Sequence, residues 1–373
     1  MRKPDDLNSV EKILSEEEEQ ERSASGPSYL TGANSDHLRQ REREYRDVEK
    51  HFVRQYWLGE AKKLVEANKK KIRYLTLPAY FRLDVTLLDK HNLIAHVTTD
   101  SKTVLDVAGF ETDPTKYGRM QNQSPTLQLL GCCPIEDAIL DANNKYYQEL
   151  HNLFPFDLIN LDLTTSLTPH HEGPFSKVMM SIEEIMLRQA GGSGQWGLFL
   201  TFRNVLNEWE QDALQKFLDN LQDNISRFPA VKDAFKDRYQ HSRVEKLFAA
   251  EAEKSVSQAV VKWLTDRAHY YRFKVERLKS FHYLRQETTP SYRISKLLLV
   301  FSRKHLPSDE IPMKQVPRQS WMDENLVLCV REHKFLDVGQ LLQGKQRSKL
   351  KREIEELCSL VETESGVSVN LGP

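Results

Sequence analysis

Long hydrophobic runs are missing from this chain. No stretch approaches the roughly 18 consecutive apolar residues that a membrane span requires, and the opening MRKPDDLNSVEKILSEEEEQER lacks the apolar core of a secretory signal. Cysteine is scarce. The four present, Cys132, Cys133, Cys329 and Cys358, include no CxxC spacing, and His170-His171 has no cysteine or acidic partner at ligand spacing. A structural zinc site is therefore not expected, and so few thiols suit a reducing compartment. Charge of one sign is missing too. The 53 Lys and Arg offset 54 Asp and Glu for a net charge of -1, which excludes a wholly basic nucleic-acid binder and leaves only a local patch for that role. A cytoplasmic protein without a membrane anchor is the expectation.

What is present is enough chain, 373 residues, for two average domains or one large α/β domain with extensions. Residues 1–34 carry Glu16 to Glu19 and then SASGPSYLTGANS, an acidic, turn-rich segment with little to bury. It reads as a disordered tail. From 35 to 70 the apolar positions Leu38, Tyr45, Val48, Phe52, Tyr56, Ala61 and Val65 recur every three or four residues. That spacing predicts a long amphipathic helix whose stripe covers the sheet edge or a protein partner.

The stretch from 71 to 302 alternates strand and helix signals. KIRYLTLPAY reads as a strand stopped at Pro78, followed by helical spacing at Phe81, Val85 and Leu88. KTVLDVAGF, residues 102–110, is a second strand, after which Asp113-Pro114 forms a helix cap. TLQLLG, residues 126–131, is a third, and CCPIEDAIL turns into a helix running through Ala138 and Tyr146 toward Leu150. FDLINLDLTT, from Phe156 to Thr165, is the fourth; its apolar residues end in polar groups. Val178, Ile182 and Ile185 mark a helix before the fifth strand, GLFLTF. Residues 205–271 form a helical insertion, either packing or a lid. Residues 273–284 and 292–302 pair as an antiparallel hairpin bent at Thr288-Thr289-Pro290. The appended region 303–373 holds a strand-like LVLCV and the basic KQRSKLKR. The expected fold is α/β: a doubly wound, mostly parallel sheet with an antiparallel terminal hairpin, a long N-terminal helix and a helical insertion. In such sheets ligands bind at the C-terminal strand ends.

Five parallel-type strands separated by helices, then a hairpin supplying the last two, resemble the class I S-adenosylmethionine-dependent methyltransferase fold over roughly residues 71–302. VAGFETD resembles the end of the second strand in that family, which implies that Glu111 accepts hydrogen bonds from the ribose hydroxyls of the cofactor. CPIEDAIL resembles the turn that covers the adenine, implying Ile135 as apolar cover and Glu136 or Asp137 as acceptors; Pro134 stands where an acid is common. FDLINLDLTT resembles the fourth strand, whose end faces the methyl group and substrate, implying cofactor contact at Asn160 and an acceptor-orienting Asp162. The first-strand turn, a glycine-rich cofactor contact in the family, here reads Leu77-Pro78-Ala79-Tyr80 without glycine. The fourth strand also lacks the Asn/Asp-Pro-Pro-aromatic motif of enzymes that methylate base amino groups.

The resemblance implies an S-adenosylmethionine-dependent methyltransferase-like protein acting on an unknown acceptor. The alternative, from another class, is a non-catalytic Rossmann-like subunit that binds protein partners through the N-terminal helix or nucleic acid through residues 345–352. Each sharp reading has a plain one beside it. Glu111 is a ribose ligand or a solvated strand end; Asp162 faces the methyl group or caps the next turn; Asp113 is a helix cap. Cys132-Cys133 has no histidine close in sequence to activate it, and His170-His171 is a loop pair near the substrate or merely exposed. Arg285, Gln286 and Tyr292 at the hairpin turn are residue types favoured at interfaces. Lys345, Arg347, Lys349, Lys351 and Arg352 meet phosphates or form a solvated face.

Overall fold

The structure, a computed structural model, describes residues 47–78, 82–99, 102–112, 114, 117–118, 130–163, 165–169, 176–285, 292–303, 326–331, 333, 335–342 and 344–365. The chain divides into two compact units, Met1–Asp47 and Val48–Pro373. The acidic tail and the start of the expected helix fall in the first, where only Asp47 is among the described residues. The sheet and its helices belong to the second.

In the second unit α1 (Val48–Asn68) leads into β1 (Tyr74–Thr76), α2 (Leu83–Lys90), β2 (His96–Thr99), β3 (Lys102–Leu105) and β4 (Val107–Gly109). Next come α3 (Ile135–Leu140), α4 (Tyr147–Leu153), β5 (Leu158–Asp162), α5 (Lys177–Gln189) and β6 (Gln195–Arg203). A 3-10 turn at Leu206–Glu208 precedes α6 (Gln211–Arg227), α7 (Pro229–Tyr239) and α8 (Val244–Tyr270), which fill the expected helical insertion. β7 (Phe273–Arg285) and β8 (Tyr292–Arg303) form the hairpin, and β9 (Phe335–Asp337), α9 (Val338–Leu341) and α10 (Lys345–Ser365) complete the unit.

Seven strands make one sheet in the order β4-β1-β5-β6-β8-β7-β9. β1 pairs in parallel with both β4 and β5, and β5 with β6, while β8 runs antiparallel between β6 and β7. β1 and β4 are buried throughout, β5 everywhere but its last residue and β6 everywhere but its two ends. Runs buried on both faces need no polar alternation, which is why these strands were readable as apolar runs. On one face lies α1, where Trp57 stacks on Phe199 of β6 at 4.9 Å and Tyr56 meets Phe281 of β7 at 4.8 Å. Each such pair adds about 1 kcal/mol beyond area burial. α2 and α10 pack beside α1. On the other face Leu75, Ile159, Leu161, Leu198 and Leu200 share a core with Ile182 and Ile185 of α5, Leu221 of α6 and Val260 and Leu264 of α8. Helices on both faces make the sheet doubly wound. Among the described residues no helix is long and apolar enough to cross a membrane.

Three local expectations differ, and a fourth lies mostly outside the described residues. The strand expected over 102–110 breaks at Asp106: β3 pairs antiparallel with β2, and β4 joins the main sheet. Asp106 makes the break by serving both sides, its N–H donating to the Ala95 carbonyl at 2.7 Å and its carbonyl accepting from Tyr74 at 3.0 Å. The helix expected from 134 through Tyr146 is two helices, because Asp141 and Asn144 accept from the N–H groups of Asn143 and Tyr146, each at 2.9 Å. Such local side-chain bonds offer the backbone a turn in place of the helix ladder. LVLCV is helical over 326–331, with Leu326, Cys329 and Val330 buried in the main core at helical spacing; a short apolar run does not distinguish a strand from a buried helix. Of the third strand only Leu130 and Gly131 are described, and Gly131 forms a parallel bridge with Phe110 beside β4. A Cβ on Gly131 would meet the Tyr146 ring at 2.7 Å, so this close approach requires glycine.

Candidate functional site

The sheet reverses its direction of growth at β1, which has β4 on one side and β5 on the other. Crevices of this kind, outside the carboxyl ends of strands at a switch point, are where open α/β sheets take ligands. Thr76, the last residue of β1, stands in register between Gly109 and Asn160. Two residues beyond Gly109 lies Glu111, half-buried, its N–H donating to the Gly131 carbonyl at 3.2 Å. Leu77 donates its N–H to the Asn160 carbonyl at 3.3 Å, and Pro78 behind it is buried. The structure thus gathers Leu77, Pro78, Glu111 and Asn160 at one edge. Ala79 lies outside the described residues. Ile135 opens α3 but is buried in the core at 3% exposure, and Asp137 is bonded to Lys177 at 3.0 Å. Glu136 is half-buried on the same first turn.

At the centre of this edge is a buried polar cluster that the sequence did not single out. The Asp84 carboxylate, on the first turn of α2, accepts from the Tyr74 hydroxyl at 2.7 Å, the Thr76 hydroxyl at 2.9 Å and the Asn160 Nδ2 at 3.2 Å. Burial first, and then Asp84, push the Tyr74 phenol well above its usual value. Three donors make burial of a carboxylate tolerable. The signal lay in the spacing, since Asp84 is four residues before Leu88 and so shares its inward face.

Asp162, at the end of β5, is held from two sides. Lys50 of α1 forms an ion pair with it, and the Lys296 Nζ of β8 lies 3.6 Å from its Oδ1. Burial would raise this carboxyl, but Lys296 and Lys50, with the Thr201 hydroxyl beside them, hold it well below the usual carboxylate range. Lys296 is 1% exposed and lies over the Trp57 ring at 4.9 Å, a cation–π contact that suits a desolvated ammonium. Lysine among ISKLLLVF was the legible sign, because Lys296 alternates with the buried Leu298 and Val300.

On the opposite face His282 is buried between the Ser280 hydroxyl at 2.7 Å and the Ser295 hydroxyl at 3.0 Å. His333 bonds Tyr239 at 2.9 Å and Ser257 at 3.1 Å. Burial lowers both imidazoles, His282 well below its usual value and His333 to about 3. A half-open cavity of about 520 Å³ has in its lining charged residues that are already paired, Arg293 with Glu253 at 2.5 Å and Lys254 with Glu251. Among the described residues no group of His, Cys, Asp and Glu is placed to hold a metal.

The remaining candidates are scattered. Cys132 and Cys133 are half-buried, and burial raises the Cys133 thiol. Asp113, His170-His171, Gln286 and the side chains of Arg285, Tyr292 and Lys345 lie outside the described residues. In the basic run, Arg347 bonds Glu49 of α1 at 2.8 Å and Lys349 is 3.7 Å from Glu353. The described part of the N-terminal helix spends its apolar stripe on its own sheet, with Val48, Phe52, Trp57, Ala61 and Leu64 all buried.

A family model described as PP_RS20740-like matches residues 135–360, more than half of the chain. The match takes in everything from α3 to most of α10, and leaves β1, α2 and Glu111 outside. No curated protein and no solved structure matches.

Proposed function

The chain belongs to the PP_RS20740-like family, and for it we propose a methyltransferase-like function: binding of S-adenosylmethionine at the ends of β1, β4 and β5, for methyl transfer to an acceptor of unassigned class. The observation that carries this reading is the strand order. Parallel strands spread both ways from β1, and an antiparallel hairpin closes the far side with β8 inserted beside β6, the arrangement on which the resemblance rests. Glu111 sits at the end of the neighbouring strand, where a carboxylate can accept both hydrogen bonds of a ribose diol. Pro78 has no N–H to offer a phosphate, which favours a nucleoside without a pyrophosphate over a dinucleotide.

The residues fit the cofactor as a bound group. Glu111 supplies an acceptor at one end of the edge, and the Asn160 Oδ1, buried and without a hydrogen-bond partner, supplies one at the other. Bound S-adenosylmethionine would bring an electrophilic methyl group. The residues of this chain would hold the nucleoside and exclude water; α1, strapped over β5 through Lys50, helps to close the edge. That none of its four cysteines is in a disulfide suits action in a reducing cytoplasm.

One observation favours a second reading, a non-catalytic subunit that uses the same fold for binding partners. The Asp162 carboxylate, placed to orient an acceptor, is engaged by Lys50 and Lys296. Isothermal titration with S-adenosylmethionine tests the leading reading: micromolar binding that is lost in Glu111→Ala supports it. Absence of heat from folded wild-type protein would overturn it and leave the second reading standing.

A further inference from the structure

We infer that Asp84 is a positioning residue that locks the Asn160 amide with its oxygen toward the ligand, so that the site selects ligands bearing an amine at this end. The inference rests on the reading of the strand-end edge as an S-adenosylmethionine site, and deepens it by naming the group that Asn160 recognises.

The argument begins with the chemistry of an amide. Nδ2 only donates and Oδ1 only accepts, and the two are interchangeable in shape, so neighbours decide which way the group faces. Here the neighbours decide it. A carboxylate can only accept, and the Asp84 Oδ2 lies 3.2 Å from the Asn160 Nδ2, with the Thr76 Oγ1 at 3.3 Å from the same nitrogen. The reverse orientation would set an amide oxygen against a carboxylate oxygen. Asp84 is itself held by the Tyr74 and Thr76 hydroxyls, at 2.7 and 2.9 Å, so the lock does not depend on a mobile side chain.

The consequence is an acceptor with nothing to accept from. Asn160 is 2% exposed and its Oδ1 has no hydrogen-bond partner. A buried acceptor left unmade is costly, and native structures seldom carry one without a reason. Its place supplies the reason: Asn160 lies in register with Thr76 at the end of β1, at the switch point between β1 and β5. A ligand amine there would meet the oxygen with an N–H. An ammonium gains more than a neutral donor, because hydrogen bonds with a charged partner are the stronger kind. A ligand that offers only another acceptor at this end would leave the oxygen unpaired.

The test is discrimination, read by isothermal titration on the full chain. S-adenosylhomocysteine and its desamino analogue differ only in the amine. Wild type is expected to bind the amine-bearing ligand roughly tenfold more tightly, the effect of one charge-assisted hydrogen bond. Asp84→Asn releases the amide, and is expected to weaken the amine-bearing ligand while leaving the desamino analogue unchanged, so that the ratio falls toward one. A merely structural role for Asp84 would weaken both ligands equally, and that result would overturn the inference. Equal binding of both ligands by wild type would overturn it without any variant, and so covers the case in which Asp84→Asn does not fold. If neither ligand binds folded wild type, the cofactor reading itself fails and takes this inference with it.

Discussion

Replacing Asp162 by alanine strands a charge. Lys296 is 1% exposed and lies 3.6 Å from the Asp162 Oδ1, whereas Lys50 and Asp162 keep 19% and 17% of their side-chain surface. Breaking a buried pair by removing one partner costs about 3–5 kcal/mol, mostly the penalty of the charge left behind. The partial exposure of the carboxylate puts Asp162→Ala at the low end, about 3 kcal/mol. Lys296→Met should cost far less, about 1 kcal/mol, because a thioether fills the space over Trp57 and the carboxylate keeps Lys50 as a partner. Lys50→Met removes the half-wet ion pair and should cost under about 1 kcal/mol. Urea denaturation of the three variants at pH 7 gives the order directly. The pH dependence provides a second readout. A carboxyl held below its usual value of 3.8 contributes stability that is full above that value and fades as pH falls below it. The gap between wild type and Asp162→Ala should therefore stay constant from pH 7 to pH 5. Lys296→Met as damaging as Asp162→Ala would refute the reasoning, since it would mean that attraction, and not a stranded ammonium, dominates the cluster.

Two further outcomes follow from buried groups, among them His51 of α1. His51 and His333 are lowered by burial to about 3 and His282 well below its usual 6.5, so between pH 6.5 and the folded values only the unfolded chain takes up these protons. Stability should fall on acidification from pH 7 to pH 5, by up to about 1.4 kcal/mol per pH unit for each histidine, and thermal melts that do not change over this range would contradict the burial. Gly131→Ala would bring a Cβ to 2.7 Å from the Tyr146 ring and should cost about 1–3 kcal/mol as overpacking. A melting curve for Gly131→Ala combined with Tyr146→Leu should recover part of that loss, and no recovery would place the strain elsewhere.

The sheet was legible where burial on both faces leaves a mostly apolar signature, as in Leu158 to Leu161 and Gly197 to Phe202, interrupted only by Asn160 and Thr201. It was less legible where pairing depends on polar residues: His96–Thr99 forms a strand only because Lys102–Leu105 folds back on it. The site divides in the same way. The positions of Glu111 and Asn160 at the strand-end edge were legible because strand ends have a fixed place in this architecture. Asp84, Lys50 and Lys296 were not, because each acquires its meaning from a partner brought close by the fold: Lys50 reaches Asp162 from α1, and Lys296 reaches it from β8, across β6. Single-residue patterns carry the side a residue faces, and not what waits there.

The insertion of β8 between β6 and β7 also orders events in time. During synthesis β7 emerges before β8, yet among the described residues β7 has no strand pairing with the parallel half of the sheet except through β8, which pairs with β6 from Gln195 to Arg203. Until residue 303 has emerged, the growing sheet ends in an unpaired β6 edge rich in Leu and Phe, of the kind that pairs readily with other chains. The last strand of the hairpin is therefore the keystone of the sheet, and the interval before it arrives is when a nascent chain most needs protection.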